Sequence, residues 1–449
     1  MEKQLPKNWA ETSPLEISKI IRGVSYGKTD ASQFEFENSC LILRGGNIQD
    51  GNIVNGKDNV YVPLNLINDE QFIQEYDVVI VGSTGSKNLI GKAATALFES
   101  DKTSFGAFLM NLRALHPIDK KYFSYYFQTN YYREAIRNLA GGVNINNIRK
   151  EYIENLYFPL PPLAEQNRIV AKLDTLFAQQ ETIKTSMEKI PVLLKNFRQQ
   201  VLTQAVTGKL TESWRVGKEL EETQEMKVGN FMKEVKDKID PTQIDEVPYI
   251  GLEHIQKDRG IIETGISINL KSNKTVFKKG DVIYGKLRPY LNKHDVVDFD
   301  GICSTDILVY RNCNINSSKF FNYFLGNPST IEKLNSEAKG INLPRVSAII
   351  VNNLMIKVPS VKEQQEIVSQ VESLFAKADA IEKQYETLKQ KIDTLPQAIL
   401  HKAFKGELTE QLDSDGDARE LLQQIQELKT TAGKTGKKVG KKVKTYEKE

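Results

Sequence analysis

Nowhere does this 449-residue chain hold the roughly 20 consecutive apolar residues that cross a bilayer, and Met1-Glu2-Lys3-Gln4 opens no signal-peptide core. A cytoplasmic protein without membrane attachment is expected. Only three cysteines occur, Cys40, Cys303 and Cys313, and none forms a Cys-x-x-Cys pair. That argues against a disulfide framework and a structural zinc site. The four histidines, His116, His254, His294 and His401, are scattered without partners at metal or triad spacing. Gly23 to Thr29 ends in Gly27-Lys28-Thr29 but is one residue short of a phosphate-binding loop. No Asn/Asp-Pro-Pro-Tyr/Phe run for amino methylation is present, since Asn327-Pro328-Ser329 departs at the third place. A binding or assembly subunit therefore outranks an enzyme.

Charge of one sign is also scarce in bulk. The net charge is +3, and the segment from Thr431 onward carries seven lysines against Glu447 and Glu449, so the body is slightly acidic. Nucleic-acid binding would need local arrangement of basic residues. Two stretches offer it. One runs from Lys271 to Lys293 and interleaves basic residues with Phe277, Tyr284 and Tyr290. The other runs from Arg113 to Lys150 and includes Lys121, Arg133, Tyr131 and Tyr132. Composition alone fits solvated faces of an ordinary domain equally well.

What the chain does have is a repeat. Residues 163–212 lie on residues 361–410 without a gap, and sixteen of fifty positions are identical, against about three expected from composition. The identities include Glu165-Gln166 with Glu363-Gln364, Leu176-Phe177-Ala178 with Leu374-Phe375-Ala376, and Leu210-Thr211-Glu212 with Leu408-Thr409-Glu410. In each copy apolar residues alternate at spacings of four and three, which keeps one helical stripe against a partner helix. Ile169, Leu173, Leu176, Ile183 and Met187 form the first stripe, and Ile367, Val371, Leu374, Ile381 and Tyr385 the second. Proline precedes each helix, and Gly208 and Gly406 stand where helices end. Pro191 and Pro396 fall inside the stripes, so each kinks its helix or starts a second one.

The 198-residue shift persists upstream, matching Gly142-Val143-Asn144 with Gly340-Ile341-Asn342, and then drifts. Asp77-Val78-Val79-Ile80 resembles Asp281-Val282-Ile283-Tyr284 at a shift of 204. The predicted fold is α+β, with two pseudo-symmetric mixed α/β domains joined by two long antiparallel helices forming a coiled-coil spacer. The expected boundaries are 1–158 for the first domain, 159–213 for the first helical region, 214–358 for the second domain and 359–412 for the second helical region. A short helix and a disordered lysine-rich tail are expected over 413–449. After the Asp-Val-Val-Ile type strand the halves diverge, into Gly82-Ser83-Thr84-Gly85-Ser86-Lys87 and Gly285-Lys286-Leu287-Arg288-Pro289-Tyr290.

The run Pro159 to Val170, with the endings Leu202 to Leu210 and Leu400 to Leu408, is similar to the repeated helical regions of type I restriction-modification specificity subunits. The resemblance covers roughly residues 5 to 412. It implies two target-recognition domains, each reading one half of a split, asymmetric duplex DNA target, with half-sites about 34 Å apart. It also implies docking of two modification subunits and two restriction subunits. Those partners use S-adenosylmethionine, ATP and Mg2+, and this chain itself carries no cofactor and no catalytic residue. A coiled-coil scaffold with two domains for ligands other than DNA is the competing reading.

Candidate DNA contacts follow from side-chain chemistry, because arginine reads guanine bidentately and lysine neutralises phosphate. In the second domain they are Lys286, Arg288, Tyr290 and Lys293, with Asn342 and Arg345. In the first they are Ser83, Thr84, Ser86 and Lys87, with Arg44, and then Asn144, Asn146 and Asn147. Loop residues that merely turn the chain are the competing account of these positions.

Overall fold

The computed structural model describes residues 5–56, 59–139, 146–243, 246–267, 270 and 272–443. The chain forms two compact units. The first comprises Met1–Lys184 with Gln390–Glu449, and the second Thr185–Lys389. This division does not follow the linear boundaries expected above, because it passes through both repeated helical regions. Among the described residues no helix is long and apolar enough to cross a membrane.

In the first unit a six-stranded sheet runs in the order Ser18–Arg22, Leu109–Ala114, Val78–Val81, Ala93–Thr95, Gly51–Ile53 and Ile48–Gln49. We label Val78–Val81 β1 and Leu109–Ala114 β2. All four residues of β1 are buried, as an unbroken Val-Val-Ile-Val run with both faces covered requires. A three-stranded sheet of Thr103–Phe105, Ser39–Leu43 and Val60–Pro63 lies beside it in the same unit. The second unit repeats the central arrangement with Val282–Gly285 (β3) paired antiparallel to Ile307–Arg311 (β4). A five-stranded sheet includes Lys274–Phe277, Gly301–Cys303 and Pro248–Ile250.

Equivalent ion pairs mark the shared frame. Arg113 on β2 grips Asp77 through Nε and Nη2 at 2.8 and 2.6 Å, and Arg311 on β4 grips Asp281 through the same atoms at 2.7 and 2.6 Å. Both carboxylates are buried. Arg113 is thus a framework residue rather than part of a basic surface. The same correction applies to Lys121, which pairs with Asp174, to Arg133, which donates to the carbonyls of Ile90 and Asn88, and to buried Lys274. Phe277, Tyr284 and Tyr132 belong to the cores. The expected interleaving of basic and aromatic residues was therefore largely structural in origin, and Lys271 lies outside the described residues.

The first repeated region is two helices, Leu163–Met187 (α1) and Ile190–Val206 (α2), with Pro191 at the start of the second. Proline is tolerated there because its missing N–H has no helical partner to lose. The second region is one helix, Val361–Phe404 (α3), which contains Pro396. Within the first unit Gln180 of α1 donates to the Ile392 carbonyl of α3, and within the second Arg198 of α2 pairs with Asp379 and Glu382 of α3. Within each unit residue numbers rise on one side as they fall on the other, with Glu165 and Gln180 meeting Thr409 and Ile392 in the first and Arg198 and Thr211 meeting Asp379 and Glu363 in the second, so the segments run antiparallel inside each unit. Gly208 and Gly406 adopt φ of 75° and 73° after their helices, the left-handed stop that glycine takes without a Cβ penalty.

The stripes meet the partner helix and the domain cores together, since the first core gathers Ile169 and Leu173 with Ile399, Leu400 and Ala403 of α3, and the second gathers Ile367 and Val371 with Val201 and Ala205 of α2. Ile169 and Leu173 are buried among Tyr122, Phe123 and Phe158, with Leu176 partly buried against them. Ile367 and Val371 are buried in the second core, with Leu374 packed at its edge. Ile183 and Ile381 are about half exposed, at 49% and 48%, while Met187 and Tyr385 are intermediate. The reason is geometric: sheet and helices cover the first turns of each helix, whereas a bare helix pair cannot enclose a side chain on all sides.

The repeat motif performs a reciprocal exchange. Glu165 of the first copy accepts hydrogen bonds from Trp9 Nε1 (2.8 Å), Thr409 Oγ1 (3.1 Å) and Gln411 Nε2 (3.0 Å). Glu363 of the second copy accepts from Thr211 Oγ1 at 2.6 Å and pairs with Arg215. Each copy's glutamate thus meets the threonine that closes the other copy. Gln166 and Gln364 donate to the carbonyls of Pro161 and Pro359, holding the entries to the helices. The two tryptophans, Trp9 and Trp214, are not equivalent, since Trp9 reaches Glu165 whereas Arg215 reaches Glu363.

The C-terminal helix spans Ala418–Val443 (α4), longer than the short helix expected, in keeping with the helix propensity of lysine. Ala418, Leu421 and Ile425 are buried on the first unit, Arg168 grips Asp415, and Lys429 donates to the Leu15 carbonyl at 2.9 Å.

Candidate nucleic-acid interface

Three backbone segments converge at the same place in each unit. In the first, Gly82 N and Ser83 N both donate to the Phe108 carbonyl, and Ile148 N donates to the Gly82 carbonyl. Ser83 and Thr84 pair antiparallel with Asn147 and Asn146. In the second, Lys286 N donates to the Asp306 carbonyl, Val346 N donates to the Lys286 carbonyl, and Leu287 bridges Arg345. The drifting sequence shift is consistent with this frame: loop 82–84 corresponds to 286–288, turn 108 to 306, and helix entry 148 to 346.

The structure therefore brings Ser83 and Thr84 together with Asn146 and Asn147, and Lys286 and Arg288 together with Arg345. Ser86 continues the first loop, its N–H donating to Thr84 Oγ1, and Lys87 is exposed. Arg44 is exposed at the end of strand Ser39–Leu43, where Leu43 accepts from Gly106 N. Asn144 lies outside the described residues. Asn342 is exposed in the 340–344 loop, between Ile341 and Leu343, which are themselves 100% and 53% exposed.

Arg288 is held in a conformation that side chains rarely adopt, with φ of 51°. Its N–H donates to the Pro344 carbonyl and its own carbonyl accepts from Leu291 N. Left-handed backbone at a non-glycine residue costs on the order of 1 kcal/mol and persists where surrounding bonds over-determine it. The outcome is an exposed guanidinium on a fixed stem, beside exposed Tyr290. Lys286 and Lys293 are less free than their charges suggest, since their ammonium groups donate to the carbonyls of Thr305 and Leu252 at 2.6 Å each. Arg345 reaches Asp306 at 3.3 Å.

In the first unit Ser83 and Asn147 line a recess of about 1350 Å³ together with Arg22, Lys150 and Lys429 of α4. Phe108, 72% exposed, falls between Ala107 and Leu109, which line the recess. Composition and periodicity gave no sign of Phe108, Ile341 or Leu343, because a single apolar residue in a turn breaks no pattern.

Two of the three cysteines, Cys40 and Cys303, are buried, and Cys313 is exposed. Burial pushes the Cys40 and Cys303 thiols up to about 12, far from the thiolate needed for nucleophilic work at neutral pH. Desolvation holds the His294 imidazole below its usual range, and its Nδ1 lies 2.6 Å from Asn322 Oδ1. His254 Nδ1 accepts from Gly251 N. Lys28 of the Gly-Lys-Thr run sits in a 3-10 turn, Lys28–Asp30, rather than at the start of an α-helix.

Comparison with known proteins agrees with this frame. Residues 6–192 and 218–390 match the type I restriction modification DNA specificity domain. The chain is 32% identical to the type I restriction enzyme StySPI specificity subunit of Salmonella potsdam over 464 residues, covering 98% of this chain and 99% of the relative. It is likewise 32% identical to the EcoKI specificity subunit of Escherichia coli K12 over 476 residues, with the same coverage. The fold is shared with the HsdS subunit from Thermoanaerobacter tengcongensis, with a TM-score of 0.61 over 90% of this chain and 99% of that chain at 17% identity. A subunit solved in a type I restriction-modification system gives 0.62 over the same shares at 16% identity. With two units on one frame, a repeat that exchanges its ends and a family match over both halves, the chain belongs to the specificity subunits of type I restriction-modification systems.

Proposed function

We propose that this chain reads a bipartite, asymmetric duplex DNA sequence, one block per unit, and presents it to modification and restriction partners. The observation that carries this is the equivalence of the two loop clusters in backbone and their difference in side chains. Hydroxyls and amides of Ser83, Thr84 and Asn147 occupy one, and the charged groups of Lys286, Arg288 and Arg345 occupy the other. Phosphate contacts position a protein on DNA while side chains at base edges specify the sequence. Two unlike clusters therefore read two unlike blocks.

On this reading the pseudo-repeated helices dock two modification and two restriction subunits, and the complex acts in the cytoplasm. S-adenosylmethionine, ATP and Mg2+ belong to the chemistry of those partners, and this chain supplies recognition alone. The test is selection from a random duplex library by the chain in complex with its modification subunits. Two dissimilar fixed blocks separated by a constant run are expected. Absence of any enriched duplex would favour a scaffold for other ligands.

The tail belongs to the same proposal. Lys434, Lys437, Lys438, Lys441 and Lys442 recur in the sequence at the spacing of one helical face, on the helix whose Lys429 lines the recess beside Ser83. A chain ending at Thr430 keeps the buried anchors Leu421 and Ile425 and is expected to select the same sequence. Its log affinity then depends less steeply on log salt, by about 0.9 for each lysine that neutralises a phosphate. An unchanged salt slope would remove the tail from the interface.

A further inference from the structure

Phe108 is the least expected residue of the first loop cluster. Its carbonyl anchors Gly82 and Ser83, and its neighbours Ala107 and Leu109 line the recess that holds Ser83 and Asn147. Its ring is nonetheless 72% exposed. The fold does not require an aromatic side chain there, because the same register position in the second unit is Asp306, which reaches Arg345 instead. A phenyl ring this exposed, on the residue whose carbonyl holds the backbone of Gly82 and Ser83, belongs to none of the core clusters among the described residues.

We infer that Phe108 is a specificity-determining residue of the first unit, making an apolar contact with the C5-methyl group of a thymine in the major groove. The thymine methyl is the largest apolar feature of the base edges exposed there, where cytosine offers only a C5–H and the remaining edge atoms are mainly donors or acceptors. Ser83, Thr84 and Asn147 supply partners for those polar edges, and Phe108 adds the apolar contact they lack. This rests on the duplex-reading proposal above.

The experiment uses the chain in complex with its modification subunits and duplexes carrying the selected target. Each thymine of the first block is replaced in turn by deoxyuracil, which removes the methyl group alone. The unaltered chain loses about fourfold in affinity at one such position, the worth of one buried methyl. Phe108→Ala binds the thymine and deoxyuracil duplexes equally and keeps its preference in the second block. Phe108→Leu retains part of the thymine preference. A first block without thymine, an undiminished thymine preference in Phe108→Ala, or an equal loss on every duplex overturns the inference. Failure of the parent reading looks different, because the unaltered chain would then enrich no duplex.

Discussion

Glu165→Ala destabilises the first unit by about 3 kcal/mol, because it strands the buried Trp9 indole N–H and the part-buried Thr409 hydroxyl, whose only hydrogen-bond acceptor among the described residues is this carboxylate. The Trp9 side chain is 2% exposed and its indole N–H points at this carboxylate, and Thr409 donates to it from the second repeat. A buried donor left unsatisfied costs about 1–3 kcal/mol. Gln411 is less affected, since it also donates to the Gly406 and Thr409 carbonyls. Glu363→Ala is expected to cost less, about 1–2 kcal/mol, because the Arg215 side chain is 36% exposed and can turn to water. Hydrogen exchange resolved along the chain measures the two units separately, which a single melting curve of a two-unit protein does not. A Trp9→Phe, Glu165→Ala cycle should couple by about 1 kcal/mol. Simple additivity would show that the indole bond contributes nothing.

Arg288→Ala weakens binding to the selected target by about 1–3 kcal/mol, roughly five- to 150-fold, and relaxes preference at one position of one block. The magnitude is that of a bidentate arginine–guanine pair, which the rigid left-handed stem of Arg288 is suited to aim. Arg288→Lys separates base reading from phosphate attraction. Lysine keeps the charge but not the planar fork, so it should behave like alanine in sequence preference. Near-normal preference in the lysine variant would make Arg288 a phosphate contact. Because the altered block belongs to the second unit, the first block is expected to stay intact in both variants.

Much of the frame was legible in the chain because it rests on periodicity and identity. The Asp-Val-Val-Ile and Asp-Val-Ile-Tyr runs form the buried strands β1 and β3, and the 198-residue repeat forms helices that run antiparallel within each unit. The exchange of ends was not legible. Glu165 and Glu363 are identical, as are Thr211 and Thr409, so the alignment is the same whether each glutamate meets its own copy's threonine or the other's. Only the fold distinguishes the two.

Charge misled for a related reason. Arg113 and Arg288 are alike in sequence terms, yet one is clamped to Asp77 and the other is exposed. The clusters themselves were half visible. Loops 83–87 and 286–290 stand out by their chemistry, whereas their meeting with 146–147 and 345 depends on backbone pairing that a single sequence does not reveal. Phe108 carries no signal in the sequence, because its exposure depends on its place in a turn and not on any pattern around it.

The central claim is that one duplicated scaffold carries two different readers. It is tested most directly by mapping methylated adenines across the genome of a host that carries this chain with its modification partner, and of the same host without the chain. The expected result is one motif of two dissimilar blocks separated by a fixed number of unspecified bases, absent when the chain is absent. A continuous motif, a palindromic one, or a methylation pattern unchanged by removing the chain would contradict it.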